Sequence, residues 1–343
     1  MPCDDAPVDS CGTQLQLQLD PCSESSRPLF KELSKAALEA PWGSVVTFNK
    51  TARIPQVLWQ TSKSKQLSER ATKLQDSWAA LNPSLNTTLM DDAEAAAFVA
   101  SFYGPAVAAL YAAYPLGVMR ADFWRYAVLY AYGGVYSDID TECLQPLAQW
   151  FPPKARPPDV PTFVSGNNTW RSAGALQYHN LTWDDCSMVA GLENDAHMCQ
   201  WTIASVPGHP VLRSTLHLAL QSLQQGVKCQ YDHMVHLHTG PGVWSAGLRH
   251  ALGLPDNHSA ADIARAAWTD AVVYQRAREM RLCIVASEFF GGVMPQNVKN
   301  HYSSQWVDSE ARNASWLVAM AQLGERLKSA AASTPTATAS END

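Results

Sequence analysis

LGVMRADFWRYAVLYAYGGVYSDID, residues 116–140, is the stretch that decides the fold. From 118 to 132 it is apolar on nearly every face, the pattern of a helix buried on all sides. Gly133 and Gly134 end it, as expected where the chain turns into a left-handed conformation. Only Arg120, Asp122 and Arg125 carry charge in this helix. Asp122 and Arg125 are three residues apart, share a face and can meet. Charges buried among apolar residues are costly unless they are paired or used. Residues 135–137 then read as a short strand, with Asp138 and Asp140 at its carboxyl end, where open α/β sheets place ligands. Hard divalent cations prefer carboxylate oxygens and commonly bridge substrate phosphates, so this pair suits a metal held against a diphosphate.

Outward from that stretch, strands and helices alternate. Residues 53–61 read as a first buried strand, and 68–81 as a helix stopped by Asn82-Pro83. Residues 87–90 are a second strand, followed by a helix over 93–102. Asp91 and Asp92 precede that helix, as ribose contacts or as its cap. Residues 152–161 (PPKARPPDVP) read as a surface loop, 162–165 and 187–191 as further strands, and 211–224 as an amphipathic helix. The alternation predicts an α/β fold with a mostly parallel central sheet. Residues 1–40 read as a flexible stem or linker, 41–328 as the single large domain, and 329–343 as a disordered tail.

Composition narrows the function. The 343 residues are 46% hydrophobic with twelve Trp, enough for a sizeable core. The net charge of −7 without a basic run disfavours nucleic acid. No apolar stretch of about 18 residues exists, so a membrane anchor is not expected in this chain. MPCDDAPVDSCG lacks the basic end and apolar run of a signal peptide. Eight Cys and six N-x-S/T sequons (Asn49, Asn86, Asn167, Asn180, Asn257, Asn313) point to the secretory lumen. Cys3, Cys11 and Cys22 precede the core, while Cys143, Cys186, Cys199, Cys229 and Cys283 lie within it. No C-x-x-C pair exists, which removes zinc-ribbon and thioredoxin-like readings. His233, His236 and His238 are spaced suggestively but lack a fourth ligand, and read as a solvated strand.

Six segments together carry a family resemblance. They are IPQVLWQTSKS (54–64), SWAALNPSLNTTLMDDAEAAAFV (77–99), ADFWRYAVLYAYGGVYSDIDTECLQPL (121–147), GLENDAHMCQWTIASVPGHPVL (191–212), TGPGVW (239–244) and HYSSQW (301–306). Over roughly 53–306 the chain resembles the DXD-containing glycosyltransferases of family 32, and within them the initiation-specific alpha-1,6-mannosyltransferases. One departure is Ser304-Gln305, where the family usually has Gly-Ser before the closing Trp.

The resemblance implies a GT-A-like (Rossmann-like) nucleotide-sugar fold and a metal-dependent, retaining hexosyl transfer to a glycan or glycolipid acceptor. Mannose from GDP-mannose is the first expectation, and a UDP-linked galactose or N-acetylglucosamine the second. Catalytic duties fall on Asp138, Asp140, Asp122 and Arg125. The metal, Mn2+ or Mg2+, would be held by Asp140 and Asp138, with His301 as a later contact. Donor contacts are expected from Trp59, Gln60, Thr61, Asp122, Arg125, Tyr126, Glu193, Asn194, Asp195 and Trp306. The Golgi or another secretory compartment is the expected location.

Two other classes compete. DIDT is similar to the D-x-D-x-T of haloacid-dehalogenase-type phosphatases, whose first Asp is a nucleophile. That motif needs Thr or Val where this chain has Glu142, and it normally opens its domain. The other is a sugar-binding protein that keeps the fold without turnover, against which the intact Asp122, Arg125, Asp138 and Asp140 argue.

Overall fold

Gly117–Tyr132 is a helix with eleven buried residues, including Asp122 and Arg125. Its apolar surface explains that depth, and the elements around it explain how it is covered. A computed structural model describes residues 23–151, 162–165, 168–171, 182–227, 234–285, 290 and 298–300. The strands are β1 (Val57–Thr61), β2 (Asn86–Met90), β3 (Gly134–Ser137), β4 (Thr141–Cys143), β5 (Thr162–Ser165), β6 (Asn168–Arg171), β7 (Met188–Leu192), β8 (Met198–Ser205), β9 (Leu282–Val285) and β10 (Val298–Asn300). The helices are α1 (Arg27–Glu39), α2 (Trp42–Val45), α3 (Glu69–Leu81), α4 (Asp92–Tyr103), α5 (Pro105–Ala113), α6 (Gly117–Tyr132), α7 (Pro210–Ser222), α8 (Met234–His238), α9 (Pro241–Leu252), α10 (Ala260–Thr269) and α11 (Ala271–Glu279).

Six strands form the central sheet in the order β2-β1-β3-β8-β7-β9. The pairs β1–β2, β1–β3 and β7–β9 are parallel. β8 runs against both its neighbours, so it alone is reversed. The α/β class with a mostly parallel sheet is therefore as the sequence predicts.

Successive strand residues point to opposite faces, which divides the core in two. Tyr136, Ala190, Ile203 and Ile284 face the side that holds α6, α7 and α9. Leu58, Val135, Val189, Ala204 and Val285 face the side of Trp78 on α3, together with Trp150 and Phe290. Each face is sealed by large aromatics.

The turn from α6 into β3 depends on its glycines. Gly134 has φ +105°, and a Cβ there would lie 2.5 Å from Val57 Cγ1 and 2.7 Å from the Val57 carbonyl oxygen. Gly133 has φ +65°, and a Cβ there would lie 2.7 Å from both Pro207 Cδ and the Ser205 carbonyl oxygen. The close passage lets β3 slot directly between β1 and β8.

The structure corrects two expectations. The stem read over 1–40 is structured from Arg27 onward, because α1 buries Phe30, Ser34 and Ala37. The Ser34 hydroxyl donates to the Leu220 carbonyl at 2.7 Å, tying α1 to α7. His236 and His238 lie on α8 instead of a solvated strand, and His238 is buried with Nδ1 2.8 Å from Ser222 Oγ. His233 lies outside the described residues, as do Cys3, Cys11, Cys22 and Cys229. Cys186, two residues before β7, and Cys283 on β9 form a disulfide, whereas Cys143 and Cys199 are buried thiols. Among the described residues no helix is long and apolar enough to cross a membrane.

Candidate active site

The site is built where β3 ends. Asp138 N–H donates to the Trp201 carbonyl at 2.9 Å, which keeps the chain on the sheet edge for one residue beyond the strand. The chain then turns through Ile139 and Asp140 into β4. Thr141 closes that turn, its N–H and hydroxyl both donating to the Asp138 carbonyl at 3.1 and 2.6 Å. Ser137 Oγ lies 2.8 Å from Thr141 Oγ1, a second brace. Two carboxylates one residue apart are thereby held at a rigid, partly exposed edge.

Asp138 is tied to the buried helix behind it. Its Oδ1 accepts from Arg125 Nη2 at 3.1 Å and from the Tyr136 hydroxyl at 2.6 Å. The same Nη2 meets Asp122 Oδ1 at 2.9 Å, so one guanidinium nitrogen bridges both aspartates. The guanidinium also stands over the Tyr136 ring, 4.9 Å from its centroid. Arg125 Nε and Nη1 are buried without a hydrogen-bond partner among the described residues. Leaving such donors unsatisfied is unfavourable, so they mark a place prepared for acceptor oxygens.

Electrostatics follow from burial. Burial pushes the Asp122 carboxyl up to about 7; Arg125 pulls it down and Asp138 pushes it up again. Burial by itself would lower the Arg125 guanidinium, but Asp138, Tyr136 and Asp122 hold it charged, well above its ordinary value. The Glu193 carboxyl is also raised, first by burial and then by the Asp138 charge. Three acidic groups thus converge on one arginine.

The other expected site residues divide. Gln60 is fully buried beneath the Asp138 turn, with Nε2 3.4 Å from the Asp138 carbonyl and Oε1 accepting from Gln75 Nε2 at 2.9 Å. Trp59 is directed toward the start of β3: its indole N–H donates to the Gly133 carbonyl at 2.7 Å and its ring stacks on Tyr132. Thr61 donates to the Met90 carbonyl at 3.0 Å. Tyr126 is buried, its hydroxyl between Gln200 and the backbone of Thr239. Asn194 shapes the turn after β7, its Oδ1 accepting from the N–H groups of Ala196 and His197, both at 2.9 Å. The Asp195 carbonyl accepts from Ala261 N–H at 3.1 Å. Asp91 serves as the α4 cap in a reciprocal capping box with Glu94, the second of its two readings. His301 and Trp306 lie outside the described residues.

Thr239 and Gln200 are not singled out by sequence, yet both hold Asp122. Thr239 Oγ1 donates to Oδ2 at 3.2 Å and Gln200 Nε2 to Oδ1 at 3.3 Å. The only local signal is their membership of the TGPGVW and GLENDAHMCQW segments.

Metal chemistry can be judged from the donor set. Asp138 and Asp140 offer hard oxygen donors on one turn, the type that Mg2+ and Mn2+ prefer. Among the described residues no group of three or more His, Cys, Asp or Glu is placed to hold a metal. Two protein carboxylates completed by substrate phosphate oxygens fit a hard cation of this kind.

Comparison with known proteins agrees with the residues. Residues 68–156 match the family described as "Glycosyltransferase sugar-binding region containing DXD motif". The chain is 32% identical over 205 residues to an initiation-specific alpha-1,6-mannosyltransferase of Schizosaccharomyces pombe, covering 57% of this chain and 48% of that protein. It is 30% identical over 203 residues to the Saccharomyces cerevisiae protein of the same name, covering 49% and 40%. Inositol phosphoceramide mannosyltransferase 3 of S. pombe is 36% identical over 105 residues, 30% of this chain and 29% of that protein. The chain spans about half the length, or less, of these curated relatives.

Proposed function

We propose that this chain, whose residues 68–156 carry the DXD-containing sugar-binding region of a glycosyltransferase family, is a metal-dependent retaining mannosyltransferase that takes mannose from GDP-mannose. The observation that carries this reading is the buried Asp122–Arg125–Asp138 bridge at the carboxyl edge of the sheet. It offers two unpartnered guanidinium donors and two carboxylate acceptors to a polyhydroxylated ligand. Mannosyltransferase relatives support the sugar, and one of them is named for inositol phosphoceramide. The acceptor class here is a glycan or glycolipid.

Each part of the chain has a task in this reading. Asp138 and Asp140 face the diphosphate, and the bound Mn2+ or Mg2+ would supply charge neutralisation of the leaving group. Arg125 and Asp122 hold sugar hydroxyls and fix the anomeric carbon for attack from the leaving-group face. Glu193, half-buried and sensing the charges of Asp138 and Arg125, follows β7 in the turn that borders the same space.

A screen of nucleotide sugars tests the proposal. The expected outcome is release of mannose from GDP-mannose, abolished by EDTA and restored best by Mn2+. Asp140→Asn should lose transfer with melting unchanged, since leaving-group stabilisation by a metal is worth several kcal/mol. Full turnover in metal-free enzyme, or Asp140→Asn within about threefold of the wild type, would overturn the assignment. Preference for a UDP-sugar would replace the donor while keeping the chemistry.

A further inference from the structure

Asp122 has no contact with solvent, and its carboxylate is gripped from three separate parts of the chain. Arg125 reaches it from within α6, Gln200 from β8 and Thr239 from the junction of α8 and α9. Tyr126 ties the last two together, its hydroxyl 2.5 Å from Gln200 Oε1 and 3.0 Å from the Thr239 carbonyl. We propose that Thr239, Gln200 and Tyr126 are positioning residues that lock the Asp122 carboxylate in the one orientation that meets the donor sugar. This rests on the function proposed above and gives the TGPGVW segment its task.

The geometry favours a rigid clamp. A carboxylate presents about four lone-pair directions, two on each oxygen. Oδ1 pairs with Arg125 and accepts from Gln200, while Oδ2 accepts from Thr239, so both oxygens are fixed by the protein. Thr239 itself cannot drift. Its N–H donates to the Val235 carbonyl at 3.0 Å, and the following Gly240 N–H donates to the same oxygen at 2.7 Å. The chain doubles back so closely on α8 that a Cβ at Gly242 would lie 2.5 Å from the His236 carbonyl oxygen.

The start of α9 is pinned as firmly to β8. The Trp244 indole N–H donates to the Cys199 carbonyl at 3.0 Å, one residue before Gln200. Its ring stacks on Tyr126 with centroids 5.6 Å apart and planes 13° from parallel. Ser245 Oγ accepts from the Met198 N–H at 3.0 Å. Thr239 and Gln200 are thus presented to Asp122 by one interlocked unit.

Four variants separate positioning from mere stability: Thr239→Val, which keeps shape and removes the donor, Thr239→Ser, which keeps the donor, Tyr126→Phe and Asp122→Asn. Each full-length variant is assayed for GDP-mannose hydrolysis with Mn2+, for affinity to GDP and to GDP-mannose by calorimetry, and for melting. We expect Thr239→Val to lose about tenfold or more in kcat, the loss of one charge-assisted hydrogen bond, and Tyr126→Phe to lose less. GDP affinity should be unchanged while the preference for GDP-mannose over GDP disappears. Thr239→Ser should restore turnover to within about threefold of the wild type. If Asp122→Asn is inactive while Thr239→Val and Tyr126→Phe turn over as the wild type per folded molecule, the clamp falls and the proposed function stands. If Asp122→Asn or the EDTA-treated wild type is fully active, or if the wild type releases no sugar, the proposed function falls and takes the clamp with it. Should Thr239→Val fail to fold, Tyr126→Phe decides, an unchanged GDP-mannose preference counting against the proposal.

Discussion

A buried aspartate whose carboxyl is pushed up to about 7 makes opposite demands on stability and on activity. Its ordinary value is about 4, so the folded state holds the proton more tightly than the unfolded chain. The Asp122 contribution to stability is therefore fully present below about pH 4 and is lost as the pH rises toward about 7. Replacing it with Asn removes that slope. The stability gap between the wild type and Asp122→Asn should change in this window, the wild type losing ground as the pH rises. Turnover should run the other way: an ionised carboxylate accepts sugar hydroxyls better, so kcat falls as the pH drops below about 7. Denaturant melts and rate profiles at matched pH check both halves. A wild-type advantage that grows with pH would reverse the sign and refute the argument. At this scale the sequence is informative about charge and poor about partners. Asp122, Arg125 and Asp138 are legible because charges in an apolar run demand explanation. Thr239 and Gln200 are not, because they reach Asp122 from 117 and 78 residues away and no local pattern records such contacts.

Elements are legible where their signals are local. Ser68 caps α3 and Asp91 caps α4, and both helices start within a residue of expectation. The apolar run of α6 and its glycine stop are equally clear. α1 escapes a sequence reading because a polar Ser/Gln-rich beginning suggests a stem, and its three buried positions are too few to outweigh that composition. β8 is hidden within a longer stretch, since a strand buried on both faces has no alternation to read. The glycine pair before β3 allows a direct trial. Gly134→Ala would force φ +105° on an L-residue and drive its Cβ into Val57. Strained backbone and overpacking together should lower stability by about 3 kcal/mol or more. Thermal or denaturant melting checks it. A variant that melts within about a degree of the wild type would mean that β3 shifts at little cost.

For the whole molecule, covalent chemistry reports the compartment in which the chain folds. Cys186 and Cys283 are 97 residues apart in sequence and joined where the approach to β7 meets β9, while Cys143 and Cys199 are enclosed thiols. Asn49, Asn86 and Asn257 are exposed sequon asparagines on three different parts of the surface. A lumenal protein should carry glycans at these positions, and its native form should resist alkylation at all four of these cysteines. Peptide mass mapping before and after endoglycosidase treatment, with unfolding to free Cys143 and Cys199 alone, checks this. Unmodified sequons and a reduced Cys186–Cys283 pair in the natural protein would place it in a reducing compartment. Joining residues so far apart limits the unfolded chain, and losing the bond should cost about 2–5 kcal/mol.

The reversed strand β8 has a consequence for how this molecule comes into being. Segment 68–156 contains every charge of the bridge, but the groups that orient Asp122 arrive from residues 200 and 239. As the chain emerges from the ribosome, Asp122 has Arg125 beside it on α6 well before Gln200 and Thr239 are made. Until β8 inserts beside β3 and the turn after α8 closes over it, α6 has no settled burial for its charges. On the function proposed above, a nascent chain halted short of residue 239 should therefore lack the Thr239 contact to Asp122 and fail to discriminate a nucleotide sugar from its nucleotide, even with its DXD turn complete.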